Sequence, residues 1–485
     1  MAEHQHLAEQ GVQLVELRLD FIGRAVNLNR LLRDRPCPVV STARRREDGG
    51  RWQRNEEERQ TLLRSAIASG VEYVDLEADI ADAIPRYGQT KRIVSLHDFE
   101  QTPENLSEIH AAMAATDADI VKIATMAHSF DDTMRMIRLV REAQIPTIGI
   151  CMGEIGLLTR ILAHRFGSPF TYATFSTDRT LAPGQLNWRQ MRDLYRCDAI
   201  TETTRLFGVT GDPVGHSHSP LIHNTGFIAD ELDACYLPLR VSPQDFPRFI
   251  EACPDLGICG LSVTIPHKER ALDQCTQVEA AGHGIGAINT MLFQGEEILG
   301  YNTDYRAAMD CLAAMLEPDP QADKPYTGKT ALLLGAGGVV RAIAWGLHHR
   351  GANVVISSRT LNRAEQLANE MGSNCSAIEW ETRHDIEYDI LINGTPVGMH
   401  PQVDATPFDD EALRPEAIVF DTIYNPEQTL LIKHARRAGC PVITGVDMFV
   451  RQAAYQYKLF SGKEPQPGLM RQAIKDATSS VRVNR

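Results

Sequence analysis

The sequence predicts an α/β chain in two parts: a barrel of the (β/α)8 type, then a two-domain α/β half containing a doubly wound sheet. Three observations predict it. Short apolar runs alternate with helical segments along the first part, the pattern of parallel strands joined by helices. In the second part the apolar run Ala331–Leu334 leads directly into Gly335-Ala336-Gly337-Gly338 and a helical stretch. The length, 485 residues, exceeds one ordinary core, so two or three domains are expected.

Candidate barrel strands are Gln13–Leu19, Pro38–Ala43, Glu72–Glu77, Arg92–Leu96, Asp119–Ala124, Thr147–Ile150 and Phe170–Thr174. A closed barrel needs one more, so a missing first strand or a barrel open on one side is expected. Inside QLVELRLD, Leu14, Glu16, Arg18 and Asp20 share one face. In DIVKIAT, Lys122 faces away from Val121 and Ile123. His97 ends RIVSLH, Arg44 follows PVVSTA, and Arg160 lies in the helical stretch after the Gly153–Gly156 turn. The aliphatic face would meet the helices, and the charged face would gather at the C-terminal mouth, where barrel active sites sit. Singly, each charge is explained as a salt bridge. Jointly, a lysine, a histidine and several arginines point to a carbonyl substrate that carries a carboxylate. A partly desolvated lysine among cations has a lowered pKa and can form an imine. A histidine can then remove the acidified neighbouring proton and help expel a β-hydroxyl.

The net charge of −14 argues against a general binder of nucleic acid or anionic membranes. Arg44-Arg45-Arg46 is followed at once by Glu47-Asp48 and then Glu56-Glu57-Glu58. The ten cysteines show no CxxC pair and no zinc spacing, so reduced thiols, no metal and a cytoplasmic protein are expected. No apolar run approaches a membrane span, and MAEHQHLAEQ reads as neither a secretory signal nor a transit peptide.

In the second part a strand, LFGVTGD, leads into PVGHSHSPLIHN, where Ser219 before Pro220 reads as a helix N-cap. Ser217 and Ser219 would then offer hydroxyls to a carboxylate. In GLSVTIPHKERAL a strand ends at Thr264 and Lys268 opens a helix. The hairpin pair INTMLF and EILGYN ends in Asn302-Thr303-Asp304. Lys268 and Asp304 at these edges can share a proton path to a substrate hydroxyl, with Asn289 adding an amide. The glycine turn lets backbone approach a pyrophosphate at a helix N-terminus, although Val340 stands where a third glycine or alanine is usual. After the next strand, Asn353–Ile356, the place of a ribose-binding acid holds Ser357-Ser358-Arg359-Thr360, with Arg363 beyond. Two guanidiniums suit a 2′-phosphate and favour NADP over NAD.

ELRLD, the arginine and paired glycines of TARRREDGG, HDFEQTP, the lysine of ADIVKIA, FGSP and APGQ resemble a type I 3-dehydroquinate dehydratase across nearly all of residues 11–197. The resemblance implies Lys122 as Schiff-base lysine, His97 as general acid/base and Asp48 as the acid that orients it. It puts Glu16, Arg18, Arg44, Arg160 and Gln185 at substrate positions. Leu181, beside Thr180, stands where that family has a small hydroxyl residue. SHSP, VTIPHKE, GAINT, NTD, GAGG, SRT, NGTPVGM, DTIYNP with Thr429, and GVDMFVRQAA resemble shikimate dehydrogenase from about Leu206 to Ser461. That resemblance implies Lys268 and Asp304 as the catalytic pair, and Ser217, Ser219, Thr264, Asn289, Tyr424 and Gln452 around shikimate. It implies an NADP site at Gly335, Ala336, Gly337, Gly338, Ser358, Arg359, Thr360 and Arg363, with Thr395, Met399, Gly445 and Met448 on the nicotinamide side. Tyr305 and Arg306 replace a frequent glycine, and Ser358 a frequent asparagine.

The implied domains are 1–203 for the dehydratase barrel, 204–325 completed by 446–485 for shikimate, and 326–445 as a Rossmann-like NADP domain, with the polar C-terminal end fraying. The implied function is two consecutive steps of the shikimate pathway of aromatic amino-acid biosynthesis. 3-Dehydroquinate is dehydrated to 3-dehydroshikimate, which NADPH reduces to shikimate. Alternatives are a quinate/shikimate dehydrogenase with a weak or inactive dehydratase half, or a non-catalytic metabolite sensor. Expected partners are these small molecules, with no nucleic acid and no membrane.

Overall fold

The computed structural model describes residues 2–23, 25–179, 181–319 and 321–478; Thr180 and the polar end of the chain lie outside the described residues. These residues divide into two compact units. One runs to Thr204 and includes Leu239–Asp245, and the other holds the remainder from Arg205.

The first unit is built on a six-stranded parallel sheet in sequential order: β1 (Val15–Arg18), β2 (Val39–Thr42), β3 (Tyr73–Glu77), β4 (Lys91–Asp98), β5 (Ile120–Met126) and β6 (Thr147–Met152). Alternation along the strands sorts the side chains as expected. Val121 and Ile123 pack with Val94, Leu106 and Met136 on one face. Ile120, Ala124, Ile93 and Ile148 form a separate cluster on the other, where Lys122 also lies. That second face is apolar at its base and charged above it.

The expected last strand is corrected. Phe170–Thr174 is extended but joins no ladder, and makes one isolated bridge, Thr174 to Asn187. Pro169 removes a backbone donor at its start, and its partner is the short stretch Leu186–Trp188. Alternation still holds there: Phe170 and Tyr172 both pack on the Ile93–Ile120 cluster.

The second unit contains two six-stranded sheets. The first has the order β10-β12-β11-β9-β7-β8 and uses β7 (Arg205–Gly211), β8 (Ala234–Arg240), β9 (Ile258–Val263), β10 (Gln277–Val278), β11 (Thr290–Gln294) and β12 (Glu297–Tyr301). The hairpin between β11 and β12 turns at Gly295, whose φ of +63° favours glycine. The other sheet is wholly parallel, with the order β15-β14-β13-β16-β17-β18. It comprises β13 (Thr330–Leu334), β14 (Asn353–Ser357), β15 (Cys375–Ile378), β16 (Ile390–Asn393), β17 (Ile418–Asp421) and β18 (Val442–Ile443). Its strand order reverses between β13 and β16, so a crevice opens at the carboxyl ends of those two strands. Among the described residues no helix is long and apolar enough to cross a membrane.

Candidate active sites

In the first unit Lys122 meets carboxylates that the expected cation-rich mouth did not include. Asp75 accepts hydrogen bonds from Lys122 Nζ at 3.0 Å, Arg44 at 2.6 Å and Ser95 Oγ at 2.6 Å. Glu77, on the same face of β3, bridges Arg44 at 2.9 Å and Arg59 at 2.7 Å. Burial alone would raise the Asp75 pKa, but Arg44 and Lys122 outweigh it and hold the carboxyl well below the usual range. Burial likewise opposes the Arg44 charge, and Asp75 with Glu77 restores it and raises its pKa. Asp75 and Glu77 thus offset much of the positive charge around Lys122.

Burial, then Arg44 and Lys122, push the His97 pKa well below 6.5 against the pull of Asp75. Its ring is therefore neutral near pH 7 and able to accept a proton. His97 Nδ1 is enclosed with no hydrogen-bond partner among the described residues. Among the described residues the expected orienting acid, Asp48, makes no hydrogen bond to that nitrogen. Asp48 accepts from Arg45 Nε at 2.6 Å, because that guanidinium sits three residues away in the same turn. Arg160 is 2 % exposed and its Nε has no partner among the described residues. Burial draws its pKa down to about 10, so an arriving anion would relieve an uncompensated cation. Glu16 accepts from Thr42 Oγ1 at 2.8 Å, and Arg18 forms a two-bond fork to Asp20 at 2.9 and 2.8 Å. Gln185 is turned to its own loop instead, where its amide oxygen accepts from the Leu181 N–H at 3.0 Å. Leu181 itself is exposed.

In the second unit one cavity of about 270 Å³ collects residues from distant parts of the chain. Lys268 opens the helix Lys268–Asp273, Asp304 lies in the first turn of Thr303–Leu316, and Lys268 Nζ donates to Asp304 Oδ2 at 2.6 Å. Ser217, Ser219, Thr264 and Asn289 line the same cavity. So do Tyr424, Gly445, Met448 and Gln452. Asn289 Nδ2 donates to Thr303 Oγ1 at 3.0 Å, which fixes the amide beside Asp304. The Tyr424 ring stacks on Phe449 at 4.5 Å. One expectation shifts by a residue: His218 is the N-cap and Ser219 the first helical residue. The capping is done by Ser217 Oγ, which accepts the Ser219 N–H at 3.2 Å.

A buried relay that the sequence reading missed backs this cavity. Tyr236 OH donates to Ser262 Oγ at 2.6 Å, Ser262 donates to Gln456 Oε1 at 2.8 Å, and Gln456 donates to the Asn289 carbonyl at 3.2 Å. Its signal was available. Ser262 is two residues before Thr264 on a strand, and Gln456 four after Gln452 on a helix, so each shares a face with an expected residue.

The glycine loop fits a dinucleotide. Gly335, at φ +107°, would place a Cβ 3.1 Å from the Gly394 carbonyl across the β13–β16 crevice. A Cβ on Gly337 would meet nothing within 4 Å, so backbone there is open to a ligand. Gly337 caps the helix Gly338–His349 with no side chain over its N–H groups. Val340 replaces the usual third small residue because the close approach is supplied from the neighbouring strand: a Cβ on Gly394 would strike Val340 Cγ2 at 2.2 Å. A Cβ on Gly338 would lie 3.3 Å from Lys268 Cδ, which puts the loop against that lysine. Arg359 and Arg363 are exposed after β14, with Ser358 Oγ accepting the Thr360 N–H at 3.4 Å. Thr395 and Met399 do not line the cavity. Thr395 Oγ1 donates to Asn393 Oδ1 at 2.7 Å, and Met399 is 45 % exposed. Asn393 in turn donates to Asp421 at 3.1 Å, and Thr429 donates to the other Asp421 oxygen at 2.6 Å. Burial pushes the Asp421 pKa up to about 6.

Fold and sites together define two enzyme units on one chain, one centred on a lysine in a parallel sheet, the other a nucleotide-domain oxidoreductase. Residues 1–202 match the model of type I 3-dehydroquinase and 209–291 that of the shikimate dehydrogenase substrate binding domain. Residues 321–406 match shikimate / quinate 5-dehydrogenase, and 445–475 the shikimate 5′-dehydrogenase C-terminal domain. The chain is 37 % identical over 474 residues to the chloroplastic bifunctional 3-dehydroquinate dehydratase/shikimate dehydrogenase of Arabidopsis thaliana, covering 94 % of this chain and 78 % of that protein. It is 38 % identical over 272 residues to a shikimate dehydrogenase (NADP(+)) of Caldanaerobacter subterraneus, covering 54 % of this chain and 94 % of that one. Among solved structures, Thermus thermophilus shikimate 5-dehydrogenase with NADP(H) and shikimate matches at TM-score 0.50 and 31 % identity, over 56 % of this chain and 99 % of that chain. The chain belongs to the family of bifunctional 3-dehydroquinate dehydratase/shikimate dehydrogenases.

Proposed function

We propose that this chain catalyses two consecutive steps of the shikimate pathway, with Lys122 and His97 serving the first and Lys268 and Asp304 the second. One observation carries the reading: each unit holds a lysine 3.0 Å or less from a carboxylate, with both side chains largely withdrawn from water. In the first step Lys122 Nζ adds to the ketone of 3-dehydroquinate and water leaves, forming an imine. His97 takes the acidified neighbouring proton and returns it to the departing β-hydroxyl, which leaves as water. Hydrolysis of the imine restores Lys122 and releases 3-dehydroshikimate, for a net loss of one water. Arg160 faces the substrate carboxylate.

Residues 204–325 with 446–485 hold 3-dehydroshikimate, and 326–445 hold the cofactor. Gly335, Ala336, Gly337 and Gly338 take the pyrophosphate, and Ser358, Arg359, Thr360 and Arg363 the 2′-phosphate. Thr395, Met399, Gly445 and Met448 border the nicotinamide. When bound, NADPH supplies hydride to the ring ketone. Lys268, paired with Asp304, delivers the proton to the developing alkoxide, while Ser217, Ser219, Thr264 and Gln452 orient the ring. All ten cysteines are free thiols, which fits the cytoplasm.

The test is NADPH absorbance after adding 3-dehydroquinate to the purified chain. Loss of signal requires both sites in series. No loss with 3-dehydroquinate, but loss after 3-dehydroshikimate, would remove the dehydratase half of the reading. No loss with either would favour the sensing alternative.

A further inference from the structure

Tyr172 lies on the extended segment that forms no strand, yet its ring packs against the sheet. Lys122 Nζ sits 4.1 Å from its centroid, a cation–π contact in addition to the Asp75 salt bridge. Phe170 packs against Tyr172 at 5.9 Å, and Tyr73 of β3 meets Phe170 edge-on at 5.9 Å, so a row of rings anchors it to the sheet. The hydroxyl is enclosed and has no hydrogen-bond partner among the described residues. Burial, then Glu16 and Asp75, push its pKa well above 10 while Arg44 opposes, which puts the oxygen within electrostatic reach of the groups around Lys122. Packing alone would be served by a phenylalanine. An enclosed hydroxyl without a partner is costly unless a ligand supplies one. His97 Nδ1 and Arg160 Nε are unpaired in the same unit, so polar groups able to meet a ligand recur there.

We infer that Tyr172 is a further substrate-positioning residue of the dehydratase site: its ring face steadies Lys122 Nζ, and its hydroxyl donates a hydrogen bond to an oxygen of the bound polyhydroxy acid. The inference rests on the dehydratase reading above. Two variants of the full chain separate the two parts. Tyr172→Phe keeps the ring and removes only the hydroxyl. It is expected to raise the KM for 3-dehydroquinate about tenfold, with kcat within about threefold of wild type. Tyr172→Leu removes the ring as well, and is expected to slow borohydride-trapped imine formation at Lys122 by about a further tenfold. A melting curve and far-ultraviolet circular dichroism report folding of the first unit, and turnover of 3-dehydroshikimate that of the second; if Tyr172→Leu does not fold, the near-isosteric Tyr172→Phe decides. An unchanged KM in Tyr172→Phe overturns the inference and shows the hydroxyl to be satisfied by water alone. Absence of both turnover and trapped adduct in the wild-type chain overturns the dehydratase reading, and this inference with it.

Discussion

The two sites surround a lysine by opposite means. Around Lys122 the protein supplies a closed charge network: Asp75 and Glu77 against Arg44, Arg59 and the lysine itself, nearly all sealed from water. Around Lys268 one carboxylate, Asp304, lines the cavity, and the rest is hydroxyls, amides and apolar side chains such as Val209, Val214, Met448 and Phe449. The difference follows from where the chemistry resides. In the proposed dehydration an imine forms on the protein's own nitrogen, so the chain must hold charge before, during and after that bond. A reduction brings its reactive hydride with the cofactor, so the chain needs one proton relay and a surface that orients two ligands.

That contrast is broken most sharply at the lysines. Lys122→Ala is expected to lower 3-dehydroquinate turnover by about 10⁴-fold or more and to abolish the borohydride adduct, while 3-dehydroshikimate reduction stays at wild-type level. A retained adduct would remove Lys122 from the imine role. Lys268→Ala should slow reduction by about 10²–10⁴-fold, the range for loss of a positioned acid, with dehydration unchanged. Because Lys268 Cδ lies close to Gly338, NADPH affinity should be measured alongside by fluorescence; a loss confined to affinity would make Lys268 a binding residue.

How far the sequence carried this contrast depends on the range of each interaction. Period-two alternation put Lys122 on the right face, and turn chemistry placed the β11–β12 hairpin and the glycine loop, because those are decided within a few residues. The pairing of Lys122 with Asp75 joins positions on separate strands, and the alternation that put Asp75 and Glu77 on one face of β3 could have marked them as candidates. Val340 reads as a defect in a glycine fingerprint until Gly394 is seen beneath it. Phe170–Thr174 has a strand's alternation but not its ladder, since hydrogen-bond partners are not written in a segment's own composition. Asp48 was assigned to His97 from resemblance, and a neighbouring arginine holds it instead.

A smaller effect tests whether the second unit tolerates buried charge as the first does. Asp421 is fully buried without a cation, held by Thr429, Asn393 and the Ile423 N–H. Its folded pKa of about 6 stands above the ordinary 3.8, so the folded state binds this proton more tightly than the unfolded state. The stabilisation is therefore full below about pH 4 and lost as pH rises through about 6, a change of about 3 kcal/mol. Asp421→Asn cannot titrate. Its stability relative to wild type should improve by roughly that amount between pH 4 and pH 7 in denaturant melts, whatever the fixed cost of the substitution. A constant difference would mean that the carboxylate stays ionised across the range.

The smallest expected effect sharpens the comparison at the cofactor. In the first unit the Arg44 and Arg59 guanidiniums are buried against carboxylates, whereas Arg359 and Arg363 are exposed, as the proposed 2′-phosphate site would require. An exposed cation gains little from its own protein, so its removal should leave stability within about 0.5 kcal/mol of wild type. Its contribution appears only when a 2′-phosphate arrives. Arg359→Ala and Arg363→Ala are each expected to raise the KM for NADPH by about three- to tenfold and leave that for NADH unchanged. The ratio of kcat/KM for the two cofactors reads this directly, and added salt should narrow it in wild type, since exposed charges are screened. Equal losses with both cofactors would move these arginines from phosphate recognition to the support of the loop, and the preference for NADPH would then have to arise from the backbone around Ser358.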